Sequence, residues 1–277
     1  PLLTVQGNEE LGLGQGVDDL QLLLAGVAGH VQHIRLVIHH VRALAEQLVD
    51  DPPHRHLVAG DGGGGDDDAV ARVDLDLAVL VAADSKIQSL QELIAQAKSQ
   101  PGKINVGTIN IGSTQHLAAE LFKTTLGIDV QVVPFNGTPA VVNALRGKQV
   151  DAAVEILAPV LAQVTGKALR ALAVMGDKRT PTLPAVPTVA EVDPAASKGF
   201  SVASWNALAA PSKTSAPVIA RLNKEVNAAL ASPEVAKRLR DLGVEARGST
   251  PEQQGALLTS DIKRWSEVIQ RAGIPRQ

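Results

Sequence analysis

The chain predicts an α/β fold with a parallel sheet covered by helices on both faces. Three observations carry that reading: apolar strand-like runs alternate with amphipathic helices, their connections are short, and the helix ends carry Ser, Thr, Pro and Gly caps. Alternation of this kind leaves strands parallel and pushes the crossover helices onto the two faces. Only 2% of the 277 residues are aromatic, so a core must be built from Ala, Val, Leu and Ile, which the 45% hydrophobic content allows.

Taken in order, Val73–Val81 alternates Val and Leu with Asp before turning fully apolar, which reads as a strand. Ser89 caps a helix over Leu90–Ser99, whose stripe is Leu90, Leu93, Ile94 and Ala97, and Pro101-Gly102 ends it. Lys103–Gly107 is a strand, His116–Thr124 a helix and Val130–Pro134 a strand. Ala140–Leu145 is a helix, Val150–Ile156 a strand, Pro159–Val164 a short helix and Leu169–Val174 a strand. The last third is helical. Ala216–Ala231 is amphipathic, Ser232-Pro233-Glu234 opens a helix running to Leu242, and Thr250-Pro251-Glu252-Gln253 is a capping box for a helix ending at Gly273.

The first 84 residues differ in kind. They contain no Ser, Lys, Met or aromatic residue, yet hold six of the seven His. They carry four Arg against 14 acids, net −10; the remainder carries 22 bases against 15 acids, net +7, and the sum is the −3 of the whole chain. Val31–Ala45 reads as an amphipathic helix and Gly60–Asp68 as a solvated, like-charged loop. Near-neutral net charge gives no reason to expect nucleic acid. With no Cys, disulfides and thiolate metal sites are excluded. No run approaches the roughly 18 uncharged apolar residues of a spanning helix. Leu20–Ala28 is apolar but lacks the basic flank and cleavage site of a secretory signal, so no signal peptide is visible.

Chemistry concentrates at two strand–loop–helix junctions. In Val106–His116 a strand runs into a loop of Gly and hydroxyl residues, with Ser113 opening a helix. In Pro134–Ala140, Thr138 is placed to cap a helix with Pro139 at its first position. The first N–H groups of a helix lack partners and sit at the positive end of its dipole, so each junction suits an anion, and parallel strands bind ligands at their carboxyl ends. Neither loop contains Lys or Arg, so an anion would be held by N–H and O–H groups. Ordinary capped turns explain the same spacing. No phosphate-binding glycine motif occurs, so no nucleotide cofactor is expected. Glu155, at the end of a strand, reads either as a solvated strand end or as an acid meeting a ligand ammonium or a second lobe.

Two rival chemistries are weaker. His116 with Ser113 and Glu120 has a catalytic spacing that helical periodicity explains equally well. The histidines at 30, 33, 39, 40, 54 and 56 invite a metal, but only His30/His33 has helical ligand spacing. The expectation is no catalytic residue and no metal ligand.

Over about residues 77–274 the chain resembles the tripartite tricarboxylate transporter substrate-binding receptors, the Bug family of periplasmic solute-binding proteins. The landmarks run in order. They are Ser89–Ile94 with Pro101-Gly102-Lys103, Gly112-Ser113-Thr114 with His116-Leu117, Glu120-Leu121-Phe122 and Val133–Gly137. Gly147–Asp151, Leu169–Val174, Lys178-Arg179, Leu183–Glu191, Ser204-Trp205-Asn206, Ala210-Pro211, Ser232–Val235 and Arg264-Trp265 complete the set. Residues 1–77 match none of the family's opening pattern and read as a segment foreign to the receptor body, such as a gene start in the wrong frame or strand would produce. The first 70 residues are expected not to be well packed, and the lobe 78–205 to be ordered.

The resemblance implies a two-lobed flytrap of the type II periplasmic-binding-protein kind, its first lobe incomplete or aberrant. The division is 1–77 atypical, 78–205 the second lobe, and 206–277 helices packing mainly on the first lobe. It implies a non-enzymatic, monomeric periplasmic receptor delivering a di- or tricarboxylate, an acidic amino acid or a related acid to the membrane components of a tripartite transporter. The ligand-binding residues it implies are Thr108, Ser113, Thr114, Asn136, Gly137, Thr138, Pro139, Ala140 and Glu155. A partial receptor without function, and a metal binder working through the early His/Asp segment, are the alternatives.

Overall fold

The computed structural model describes residues 68–210 and 214–274. The Val31–Ala45 helix, the six early histidines and the loop from Gly60 to Asp67 lie outside the described residues. Asp68, placed at the end of that loop, instead opens a strand.

That strand, β1 (Asp68–Ala82), organises everything else. Its second half lies in a five-stranded sheet with β2 (Ile104–Ile109), β3 (Val130–Phe135), β4 (Ala152–Ile156) and β5 (Leu169–Val174), in the order β3-β2-β4-β1-β5. Its first half pairs antiparallel with β6 (Ala203–Ala210) on one side and β7 (Val244–Arg247) on the other. The change of partners comes between Asp76, opposite Ala203, and Leu77, opposite Ile156. The division at 77/78 therefore falls inside one strand, and the division at 205/206 falls inside β6.

The expected all-parallel sheet is corrected here. Strands β2, β3 and β4 are parallel, but β1 enters antiparallel between β4 and β5. Local alternation reports the hand and order of the βα units that follow one another. It carries no information about a strand that precedes them and is inserted into the middle. From Leu77 onward β1 is buried on both faces, as a central strand must be. Leu77, Val79 and Val81 pack into one core with Phe122, Val106 and Val154, while Ala78 and Leu80 pack into the opposite core with Val141, Leu145 and Leu157.

Helices α1 (Leu90–Ser99) and α2 (Thr114–Leu126) cover the first face, and α3 (Thr138–Arg146) covers the second. Ser89 caps α1 as expected, its hydroxyl accepting from Glu92 N–H at 3.2 Å. Gly107 admits α3 to the sheet. A Cβ there would stand 3.2 Å from Val150 Cγ2 and 3.4 Å from Val141 Cγ1. A 3₁₀ turn (Ala158–Val160) and α4 (Leu161–Thr165) lead to β5, and α5 (Val189–Val192) carries a capping box of Thr188 and Glu191.

The C-terminal elements are α6 (Ala216–Ala231), α7 (Pro233–Asp241) and α8 (Pro251–Ala272). α6 and α8 pack on β1, and α7 packs on β7. Thr250 and Gln253 form the expected capping box, and Gly273 closes α8 at φ +65°. Asp261 fixes α8 to β6 by accepting from Trp205 Nε1 at 2.8 Å and from Arg264 at 2.7 Å. The sequence reading missed β6, β7 and α5: β6 is Ala-rich, and the other two span four residues each.

Gln254, on the first turns of α8, is fully buried, and neither its Oε1 nor its Nε2 has a hydrogen-bond partner. An unpaired buried amide costs about 1–3 kcal/mol, and an apolar group of similar shape avoids that cost. Gln254→Met is expected to raise the urea unfolding midpoint without changing the m-value; an unchanged or lowered midpoint contradicts the assignment.

Candidate functional site

The two junctions singled out by the sequence sit at the carboxyl edge of parallel strands β2, β3 and β4. After β2 the chain runs through Asn110, Ile111 and Gly112 into α2. Gly112 has φ +82°, a left-handed conformation that disfavours side chains. Ser113 is the N-cap of α2. Its Oγ accepts from His116 N–H at 3.1 Å and donates to Ile109 C=O at 3.2 Å, so the hydroxyl ties the helix start back to the strand end. Thr114, Gln115 and His116 are all buried in the first turn.

After β3, Asn136 is exposed and Gly137 turns at φ +88° into α3. The expected Thr138 cap is not what forms. Gly137 is the N-cap with no side-chain cap hydrogen bond, Thr138 is the first helical residue, and Pro139 is the second. Pro139 brings no N–H to this helix mouth, and Ala140 N–H already bonds to Gly137 C=O at 3.1 Å. The Thr138 hydroxyl is thereby released from capping, and it donates to Glu155 Oε2 at 3.1 Å.

Glu155 is the junction of the two loops. It sits in β4, opposite Ala78 of β1, and is fully buried. Gln115 Nε2, from α2, donates to the same Oε2 at 3.2 Å, while Oε1 is buried with no partner. Burial pushes the carboxyl up to about 7, and the hydrogen bonds from Gln115, Thr138 and the Ile156 backbone only partly oppose it. Of the two readings of Glu155, the solvated strand end is excluded. The side chain bridges the first turns of α2 and α3. Gln115 was not foreseen. The signal for it was slight, an amide among the apolar positions of the first turn.

Thr108, in β2, is also fully buried with an unpartnered hydroxyl. Ser113, Thr114, Gly137, Thr138 and Glu155 are thus gathered around the two helix mouths. Asn136 is exposed next to Gly137, and Ala140 lies in the first turn of α3. His116 does not assemble a catalytic set. Its Nδ1 accepts from Gly112 N–H at 3.5 Å, the Ser113 hydroxyl is committed to the cap and the strand end, and burial pushes the imidazole down.

A cavity of about 310 Å³ lies elsewhere, where the two halves of β1 meet; its lining includes Arg72, Asp74, Asp76, Lys178, Glu245 and Arg264. Its charges are largely paired with one another: Arg72–Asp74 at 3.0 Å, Arg247–Asp74 at 3.2 Å and Lys178–Glu245 at 2.9 Å. None of the helix-mouth residues lines it. Among the described residues no His/Cys/Asp/Glu group is arranged to hold a metal, and no helix is long and apolar enough to cross a membrane.

Solved structures similar to this chain include one described as a periplasmic binding protein, BugD (31% identity, TM-score 0.64, covering 76% of this chain and 71% of BugD). Another is R. palustris Rpa4515 with adipate (29%, 0.67, 79% and 72%). A third is MatC from Rhodopseudomonas palustris with bound malate (28%, 0.61, 73% and 69%). Residues 68–274 match the tripartite tricarboxylate transporter family receptor, and the chain belongs to that family. The family is one of solute-binding receptors, not enzymes. The match reaches back to residue 68, the first residue of β1, nine positions before the similarity read from the sequence. Among curated relatives, BugT of Bordetella pertussis is 34% identical over 201 residues, 72% of this chain and 60% of BugT. A Pseudomonas protein from the tcbD-tcbE intergenic region is 33% identical over 200 residues, 72% of this chain and 59% of its own length. The chain therefore spans about three fifths of the length of these relatives.

Two outcomes test the helix-mouth geometry. A glutamate whose carboxyl titrates higher in the folded chain adds stability that is complete below its ordinary value of 4.5 and is lost as pH rises to about 7. The stability of Glu155→Gln minus that of wild type should therefore grow between those two pH values and then level off, as read by urea unfolding. Thr138→Val removes a donor to the carboxylate without removing a cap. It should move the Glu155 midpoint upward, measured by carboxyl ¹³C NMR; an unmoved midpoint would mean the hydroxyl bonds elsewhere.

Proposed function

We propose that this chain is the ligand-binding body of a receptor for a small carboxylate. The class is a di- or tricarboxylate, an acidic amino acid or a related acid, gripped at the mouths of α2 and α3. The observation that carries the reading is the convergence of these two helix starts at one sheet edge, without a Lys or Arg in either loop. Ahead of the capped His116 N–H, the first N–H groups of α2 hold an anion reversibly, while α3, with Pro139 and a bonded Ala140 N–H, contributes chiefly its dipole. The adipate bound to Rpa4515 and the malate bound to MatC are small dicarboxylates, which supports the class.

In this reading Thr108, Ser113, Thr114 and the segment Asn136–Ala140 line the ligand's carboxylate, with Glu155 beneath. The receptor is a periplasmic monomer that closes two lobes on its ligand and hands it to the membrane components of a tripartite transporter. Closure is driven by the ligand's higher affinity for the closed form. Residues 78–205 form one lobe, and the C-terminal helices pack on the other. Residues 1–67 precede the family match and carry none of the family's opening landmarks, so the grip from that side is weak. Loss of two or three charge-assisted hydrogen bonds, each worth about 1.5–3 kcal/mol, reduces a micromolar site to roughly millimolar.

Calorimetry with malate and adipate tests the reading. Millimolar binding is expected, tightening to micromolar in a chimera given a family-like segment in place of residues 1–67. Equal micromolar affinity in both would contradict the weak-grip part, and no binding in either would contradict the carboxylate class. Ser113→Ala should lose about 1 kcal/mol of stability through the lost cap and should weaken binding further.

A further inference from the structure

We propose that Glu155 is a positioning residue which, as the neutral acid, clamps the first turns of α2 and α3, so that a carboxylate binds there together with one proton. The inference rests on the carboxylate reading above and goes beyond it by naming a second species taken up with the ligand.

The full burial of a carboxyl with no cation beside it, held between the two helix starts, carries it. Both donors, Gln115 Nε2 and Thr138 Oγ1, converge on Oε2, at 3.2 and 3.1 Å. Two donors on one oxygen suit an ionised carboxylate as well as the carbonyl oxygen of an acid, so these contacts hold the group in place without fixing its proton. The other oxygen, Oε1, is also buried, and no side chain donates to it. Both donors are neutral. An ionised carboxylate in the same place would be a fully buried charge with no cation beside it, which folded proteins avoid by neutralising the group.

The neighbouring elements supply no countercharge. β2, β3 and the rest of β4 carry no ionisable side chain. α2 contributes His116, which burial keeps towards its neutral form, and beyond it Glu120 and Lys123. α3 has its one charge, Arg146, in its last turn, away from the helix mouth. On β1, Asp76 bonds to Thr180 and Asp74 pairs with Arg72 and Arg247. No charged group is among the influences on Glu155, and its raised value follows from burial first.

The location supplies the coupling. Gln115 is the second residue of α2 and Thr138 the first of α3, so the groups that hold Glu155 belong to the turns that would face the ligand. A carboxylate arriving at those turns meets either a neutral acid or a second negative charge in a water-poor setting. It favours the neutral form. By linkage, the ligand raises the proton affinity of Glu155 and the proton raises the affinity for the ligand by the same factor.

The test is calorimetry of the whole chain with malate and with adipate between pH 6.5 and 9, in two buffers of different ionisation enthalpy, alongside Glu155→Gln. Wild type is expected to take up close to one proton per ligand above pH 7. Its affinity should fall about tenfold per pH unit once Glu155 is ionised, whereas the E155Q variant takes up none and keeps one affinity across the range. Carboxyl ¹³C NMR on wild type supplies a readout that needs no mutation: adding ligand at pH 7.5 should shift Glu155 towards its neutral signal. Binding without proton uptake, or an E155Q profile that copies wild type, overturns the coupling and leaves the carboxylate reading standing. No binding by either protein at any pH overturns both.

Discussion

One strand that changes partners is the constraint on which this structure depends. β1 runs unbroken from Asp68 to Ala82, and its halves belong to different layers of the molecule. A strand cannot be shifted in one sheet without shifting in the other, because a slip of a single residue exchanges its two faces. Leu77, Val79 and Val81 must meet the α1/α2 core while Ala78 and Leu80 meet the α3 core. The same register sets Asp76 opposite Ala203 and Leu77 opposite Ile156. Two backbone hydrogen bonds lock the crossover: Leu157 N–H to Asp76 C=O at 2.8 Å and Met175 N–H to Leu77 C=O at 2.9 Å.

Around that crossover the surroundings differ sharply. On the Leu77 side the strand is wholly apolar, and on the Asp76 side it carries Arg72, Asp74 and Asp76 beside the cavity of about 310 Å³. Burial pushes the carboxyls of Asp74 and Asp76 upward; Arg72 and Arg247 pull Asp74 the other way, and a hydrogen bond with Thr180 does so for Asp76. Lys178, from the loop after β5, reaches Glu245 of β7, so an ion pair links the larger sheet to the β6-β1-β7 ribbon. These pairs are partly solvated and contribute at most modestly to stability. Their effect is on geometry, because they are strung across the place where the two halves of β1 meet.

Glu155 depends on the same register. It stands opposite Ala78, so the strand pairing that builds the core also sets a carboxyl under the two helix mouths. A carboxyl so placed has no cation available and keeps its proton more firmly than an exposed glutamate. The helix starts are held differently. α2 is tied by its own Ser113 cap, whereas α3 has no side-chain cap and is held through Thr138 to Glu155. The buried acid stands in for the missing cap as the group that organises α3's first turn.

The sequence by itself determined the local and periodic features. The helices from Leu90, Ala216, Pro233 and Pro251, the Ser89 and Thr250 caps and the β2-to-β5 alternation depend on neighbouring residues, and they appear where their caps and stripes put them. The two loops were legible for the same reason, as glycine and hydroxyl residues between a strand and a helix. Tertiary structure alone decided three things. β1 lies antiparallel inside an otherwise parallel sheet, because strand insertion is a long-range pairing that no local period encodes. Thr138 gives up the cap it had the chemistry for, because Glu155, 17 positions away, competes for its hydroxyl. Glu155 is a buried near-neutral acid and not a solvated strand end, because its surroundings come from β1, α2 and α3, brought together only by the fold.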